Sequence, residues 1–454
     1  MNTLELKSAA SPRRAAYDAL LRLLGSDLHA DDLIDQELSR NQLQGPDRGL
    51  FTELVFGVLR RQGTLDHYLS QLVQQPINRL ELPVLLLLRL GLYQLRYLDR
   101  VPSHAAVHET VELAKEILPR ASGLINGVLR NYLRKQESLT LPDPALQPTA
   151  WLSAAYSVPP WLAEQWLQQF SQNEAAGLAA ASAEIPVLTL RTNTLKTTRA
   201  DLLRLFTEAG IAVEPTRFSP VGIHLLDRCT VTSLPGFAEG LFMVQDEASQ
   251  IAVYLLEPQP DEQILDMCAA PGGKATHLAQ QMADRGQLLA TDLNARRIRR
   301  IQESADRLGI TCIQPITGDA LVADYLPGKQ FDRILLDAPC SGLGVIRRNP
   351  EAKWRLTPAE LTRCAARQRQ LIEAAAGLLK PGGILVYATC STAVEEDEAV
   401  VADFISRHPD FMVENGAQRF PDWADLFAPS GYLRVWPHRH GCDGFFAARL
   451  KRIE

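Results

Sequence analysis

Three observations predict a multidomain protein that is all-α at its N-terminal end, small and α+β in the middle, and α/β with a mostly parallel sheet at its C-terminal end. Apolar residues recur at helical spacing from about residue 11 to 135. From about residue 260 onward, short apolar runs bounded by turn residues alternate with amphipathic helical stretches. Between these regions the stretch "ESLTLPDPALQPTA", residues 137–150, carries three prolines and reads as a linker. The predicted divisions are 1–140, 141–240 and 241–454. A chain of 454 residues, 46% apolar and 22% charged, can build two or three cores.

The first helix is signalled by "SPRRAAYDALLRLL", with Ser11 as N-cap, Pro12 at the first helical position, and Ala16, Leu20, Leu21 and Leu24 on one face. Further helical runs lie in "RGLFTELVFGVLRRQGTLDHYLSQLV", "ELPVLLLLRLGLYQLRYL", "SHAAVHETVELAKEI" and "ASGLINGVLRNYLRK". Past the linker, helical "PPWLAEQWLQQF" precedes β-like "PVLTLRTN", helical "TRADLLRLFTEAG", β-like "GIHLL" and then "FMVQDEASQ". In the last region "QILDMC", "GQLLATDL", "CIQPIT", "FDRILLDA" and "GILVYATC" read as strands, with helices between them. Such alternation places helices on both faces of a parallel sheet, and ligands then bind beyond the carboxyl ends of its strands.

A net charge of −6 argues against wholesale polyanion binding, but charge acts locally. Residues 1–140 hold 17 Lys+Arg against 16 Asp+Glu, and tight basic groups stand in the acidic remainder. Arg296, Arg297, Arg299 and Arg300 read as a solvated helix face. Arg347, Arg348 and Lys353, with Trp354, directly follow one cysteine motif and are expected to contact phosphates. All seven cysteines lie in the second half, their number is odd, and no secretory leader is read, so thiols in a reducing cytosol are expected. The most apolar stretch, Leu82 to Leu98, is interrupted by Arg89, Gln94 and Arg96, so no membrane partner is expected.

The candidate site residues all fall at strand ends. "CAAPGGKAT", residues 268–276, turns from a strand into a helix and lets backbone approach a ligand, but it is neither G-x-G-x-x-G nor a P-loop. Asp292, which ends the next strand, can accept hydrogen bonds from both ribose hydroxyls of a nucleoside. Asp319, after the third, is placed to meet an adenine amino group. With no pyrophosphate fingerprint, S-adenosyl-L-methionine is the expected cofactor. "DAPCSG" and "ATCS" end two further strands and bring Cys340 and Cys390 within reach of one substrate, because adjacent strands lie about 5 Å apart. His104 with His108, and His438 with His440 and Cys442, mimic metal spacings but lack a full ligand set, so no metal is expected.

"MCAAPGGKAT", "LLDAPCSGLGVIRRNPEAKW", "RQRQLIEAAAGLLKPGGILVYATCS" and "GCDGFFAARL" resemble the NOL1/NOP2/Sun family of RNA cytosine-C5 methyltransferases. "RRAAYDALLRLL", "VPSHAAVHETVELAK" and "INGVLRNYLR" resemble the NusB-type RNA-binding domain. The resemblance implies a Rossmann-like class I methyltransferase domain with a seven-stranded sheet, acting on one cytosine of 16S ribosomal RNA, naked or in an early small-subunit particle; the alternatives are another RNA or cytosine, or a catalytically silent RNA-binding or antitermination protein, and a monomer is expected. It implies that Cys390 is the nucleophile, that Cys340 assists product release, that Asp337 meets the cytosine's Watson–Crick edge and that Lys274 lies nearby. Cys268, Ala269, Ala270, Pro271, Gly272, Gly273 and Lys274 would line the cofactor together with Asp292, Asp319 and Asp337, the Cys268 thiol being a packing group.

Overall fold

Proline at the first or second position starts several of the N-terminal helices, where its missing N–H costs nothing. In the computed structural model, which describes residues 11–25, 30–227, 229–322, 326 and 328–453, such helices include Pro12–Leu24, Gly45–Ser70, Leu82–Tyr97, Pro148–Tyr156 and Pro160–Gln169. Ser11 caps the first of them by accepting the Arg14 N–H at 3.2 Å. Its buried face runs through Ala16, Ala19, Leu20 and Leu23, whereas Leu21 and Leu24, expected on that face, are exposed. Helices Ala30–Asn41, Ser103–Ile117 and Ser122–Lys135 join around a core that includes Phe51, Leu87 and Leu129.

The chain divides into two compact units. The first runs up to Glu184 and also contains Ile346–Arg355; the second comprises Ile185–Val345 and Leu356–Glu454. The helices between Pro148 and Ser182 therefore fall with the N-terminal helices, not with the small sheet that follows them in sequence.

The second unit carries two sheets. Strands β1 (Leu188–Thr192), β2 (Val213–Pro215), β3 (Gly222–Leu225) and β4 (Phe242–Val244) form an antiparallel sheet in the order β2-β3-β1-β4. Helix Arg199–Glu208 buries Leu202 and Phe206 in the core of that sheet. The larger sheet is built from β5 (Gln263–Met267), β6 (Gln287–Asp292), β7 (Ile313–Thr317), β8 (Phe331–Asp337), β9 (Leu379–Thr389), β10 (Phe411–Val413), β11 (Leu433–Val435) and β12 (Phe445–Arg452).

The order of the larger sheet is β10-β12-β9-β8-β5-β6-β7, with β11 paired to β12. It has eight strands, one more than the expected seven, because short β11 adds to the antiparallel end. Strands β5 to β9 pair in parallel, and β12 runs antiparallel to β9. Their near-continuous apolar runs follow from burial on both faces; Leu265, Leu289, Leu335 and Val386 are all fully buried. Truncating one of these, such as Leu335→Ala, would cost about 2–5 kcal/mol.

From β5 the chain steps outward through β6 and β7, then returns to place β8 on the other side of β5. Strand order reverses there, and in such sheets ligands bind beyond the carboxyl ends of the strands, here β5 and β8.

Candidate active site

The turn after β5 enters helix Gly273–Gln281 through Gly272, whose φ of +104° is left-handed; a Cβ there would also lie 3.1 Å from the Ile301 Cα. No side chain caps this helix, so its first N–H groups have no side-chain partner from the N-cap residue. From β1, the fully buried Arg191 donates to the Gly273 carbonyl, the Thr276 hydroxyl and the Gln245 side-chain carbonyl, tying the small sheet to the start of this helix. Burial lowers the Arg191 pKa to about 9.

Asp292 ends β6 and is 6% exposed. Its carboxylate accepts the Asn294 N–H at 2.9 Å and lies 3.5 Å from Arg297. Arg297 also donates to the Ala270 carbonyl, joining the glycine turn to the end of β6. Asp319, past β7, is half-buried and accepts the Leu321 N–H at 3.0 Å.

Asp337, at the end of β8, accepts a hydrogen bond from the Lys274 ammonium at 2.8 Å. Burial works to lower the Lys274 pKa, but the charge and hydrogen bond of Asp337 outweigh it and the net shift is upward. Asp266 on β5 is fully buried, and neither of its carboxylate oxygens has a hydrogen-bond partner. Burial, followed by repulsion from Asp337, pushes its pKa well above the carboxylate range. Cys268 is pushed up to about 12, chiefly by burial.

The two thiols converge. The Cys340 and Cys390 sulfurs lie 3.3 Å apart, and both cysteines are free and half-buried. Their loops are interlocked: the Gly344 N–H donates to the Cys390 carbonyl at 2.9 Å, and a Cβ on Gly344 would fall 2.1 Å from the Gly444 carbonyl oxygen. The hydrogen bond to Cys390, then burial and the charges of Cys390 and Glu396, push the Cys340 pKa well up. Cys340 is therefore a thiol at neutral pH.

Sequence reasoning missed two buried acids behind these loops. Glu396 accepts from the Ser341 N–H at 2.7 Å and from the hydroxyls of Ser341 and Ser391. Asp397 accepts from the Thr389 hydroxyl and pairs with Arg434, and burial raises its pKa to about 7. The run "VEEDEA" holds both acids, and its four charges read as an exposed helix start.

The expected RNA contacts need correction. Lys353 is 1% exposed, its ammonium donates to the Arg60 carbonyl at 3.1 Å, and burial lowers its pKa to about 7. Arg347 is 6% exposed and Arg348 half-buried. Trp354 donates from its indole N–H to the Leu59 carbonyl, and Arg355 to the Leu23 carbonyl. This segment belongs to the helical unit, and burial withdraws the Lys353 ammonium and the Arg347 side chain from phosphates. Among the described residues no group of three or more His, Cys, Asp and Glu side chains is placed to hold a metal ion.

A doubly wound sheet with a glycine turn that leaves a helix start without a side-chain cap, and with acids at the ends of the neighbouring strands, fits a nucleoside cofactor. The fold and site are those of an S-adenosyl-L-methionine-dependent methyltransferase. Residues 253–451 match the family described as 16S rRNA methyltransferase RsmB/F, residues 10–134 the NusB family, and residues 158–232 the RsmF/B-like ferredoxin-like domain. The chain is 40% identical to the probable ribosomal RNA small subunit methyltransferase B of Synechocystis sp., over 97% of this chain and 99% of that one. It is 42% identical to the ribosomal RNA small subunit methyltransferase B of Serratia proteamaculans, over 90% and 91%. The crystal structure of NSun6 from Pyrococcus horikoshii with SFG superimposes with a TM-score of 0.59 at 25% identity, covering 65% of this chain and 98% of that one. The chain belongs to the RsmB/F family of 16S rRNA methyltransferases.

Proposed function

We propose that this enzyme methylates C5 of a cytosine in 16S ribosomal RNA through a covalent adduct between Cys390 and C6 of the base. The carrying observation is the 3.3 Å approach of two free thiols at neighbouring strand ends, beside the Lys274–Asp337 pair.

C5 of cytosine is a weak nucleophile, and addition of a thiolate to C6 moves an electron pair onto C5. Bound S-adenosyl-L-methionine supplies an electrophilic methyl group. Its seat is residues 268–274 with Asp292, Asp319 and Asp337, the uncapped helix start providing donors and the strand-end acids accepting from hydroxyl and amino groups. Cys390 forms the S–C6 bond. Asp337 accepts from the exocyclic amine of the base, while Lys274 holds that carboxylate and places positive charge beside Cys390. After methylation a solvent base takes the C5 proton, the C5–H electron pair becomes the C5–C6 double bond, and the C6–S bond breaks with its electrons going to the Cys390 sulfur. The Cys340 thiol, whose sulfur lies 3.3 Å from that of Cys390, assists this release step as the acid that protonates the departing sulfur. Two thiols in contact divide the work because only one can occupy the line of attack on C6.

C5 and C6 must both be reached, so the base is taken from a single-stranded or loop segment, as naked RNA or within an early small-subunit particle. The NusB-like helices are assigned to positioning that RNA, and the enzyme is assigned to the cytoplasm as a monomer, consistent with seven free thiols. No helix among the described residues is long and apolar enough to cross a membrane.

The test is a denaturing gel with labelled RNA and cofactor. Cys340→Ala should transfer the methyl but release slowly and show a thiol-labile, shifted band, whereas Cys390→Ala should give neither band nor product. A band from Cys390→Ala alone would reverse the two roles, and methylation intact in both variants would exclude the covalent route.

A further inference from the structure

Cys340 and Cys390 sit on separate loops fifty residues apart, and contact between two sulfurs needs something that fixes both. One buried side chain touches both loops. Glu396 is fully buried and accepts four hydrogen bonds: the Ser341 N–H, the Ser341 hydroxyl, the Ser391 hydroxyl and the Gln368 amide, the last at 3.2 Å. Ser341 follows Cys340 and Ser391 follows Cys390. The acid is itself held in place, since the fully buried Tyr387 of β9 donates its hydroxyl to the Glu396 carbonyl at 2.6 Å. Gln368 donates also to the carbonyl of Pro339, which precedes Cys340.

We propose that Glu396 is the positioning residue of the thiol pair, its single carboxylate clamping the Cys340 and Cys390 loops so that the two sulfurs meet; this rests on reading the two thiols as the working pair. A carboxylate suits the task because it accepts several donors at once and has no donor of its own. Its negative charge also faces Cys340, together with Cys390 and the buried Tyr387 hydroxyl, while Cys364 approaches Glu396 from helix Pro358–Leu378. The residue thus sets both the distance between the thiols and the readiness of Cys340 to keep its proton.

The experiment uses the full-length protein without RNA. Diamide takes two protons and two electrons from neighbouring thiols, is reduced to its hydrazine and leaves one disulfide, and mass spectrometry of the Cys340–Cys390 peptide reads its rate of formation. Glu396→Ala should slow this by at least about tenfold, since proximity supplies most of the rate. Glu396→Gln, which keeps an acceptor for the Ser341 N–H, should rescue the crosslinking rate. It should also move the pH profile of Cys340 alkylation to lower pH, a change that a merely structural role would not produce. Ser391→Ala removes the hydroxyl that ties the Cys390 loop to Glu396, Ser341→Ala removes one of the two bonds on the Cys340 side, and each should slow crosslinking, Ser391→Ala the more, which decides the matter if Glu396→Ala does not fold. Wild-type crosslinking in both serine variants would overturn the clamp, as would an unmoved alkylation profile in Glu396→Gln. None of these readings requires methyl transfer, so a wild-type protein that clamps its thiols but forms no 5-methylcytosine would refute the proposed reaction alone.

Discussion

Lys353→Met separates a buried structural lysine from a phosphate contact, and the two cases differ in sign. In the unfolded chain the ammonium keeps its proton up to its ordinary value of 10.5, but in the folded protein burial, then Arg60 and Arg61, lower the pKa to about 7. Between those values the unfolded state binds more protons, so stability rises with pH across the window. Below it the folded state carries the full penalty of a buried charge, up to about 5 kcal/mol. Methionine keeps an unbranched side chain of similar length beside the Trp354 ring, over which the ammonium lies at 5.3 Å, and removes that penalty. It also removes the donor to the Arg60 carbonyl, which costs about 1–2 kcal/mol. The variant should therefore be more stable than wild type by about 2–4 kcal/mol at pH 6.5, with the advantage gone by about pH 10.

Pulse proteolysis of the full-length protein in urea, at pH 6.5 and 9.5, reads this through cleavage products of helix Gly45–Ser70. RNA affinity measured against salt supplies the second reading. Removing a lysine that neutralises a phosphate of single-stranded RNA would reduce the log–log slope by about 0.7, and the buried position requires no change. Equal destabilisation at both pH values, together with a reduced slope, would refute the reasoning.

Asp292→Ala should weaken S-adenosyl-L-methionine binding by about 1–3 kcal/mol in calorimetry, the scale for hydrogen bonds to a charged group; unchanged affinity would remove Asp292 from the cofactor seat. Asp266→Asn should match wild type in stability at pH 4 and exceed it at pH 7. The folded pKa of Asp266 lies above its unfolded value, so the stability tied to its proton is present at low pH and lost as pH rises towards the folded pKa. A variant less stable at pH 7 than at pH 4, relative to wild type, would show that Asp266 is ionised and partnered in the fold.

Strands β5, β6, β8 and β9 were legible because a strand covered on both faces must be a continuous apolar run, and each run ends in a turn residue or a polar side chain. The convergence of Cys340 and Cys390 followed from that reading, since parallel strands deliver their ends to one edge. The segment holding Lys353 was not legible. Cations and an aromatic next to a cysteine motif describe an RNA-facing loop equally well, and what buries them is a helix almost 300 residues earlier, whose Leu59 and Arg60 carbonyls take the Trp354 and Lys353 donors. Hydropathy cannot register such an arrangement, because a buried ammonium and a solvated one are the same letter.

Glu396 and Asp397 fail in the same way but for a more general reason. Consecutive acids before a helix have the composition of an exposed N-terminal turn, and Glu395 and Glu398 are the exposed and half-buried residues that this reading expects. The two between them are fully buried, because the serines after the cysteines and the threonine before Cys390 present donors, and Arg434 a cation, that only a carboxylate can collect. A hydroxyl residue on the inner side of each cysteine was the one available signal. Ser341, Ser391 and Thr389 at the closed ends of buried strands each need an acceptor, and a nearby acidic run was the local source able to provide it.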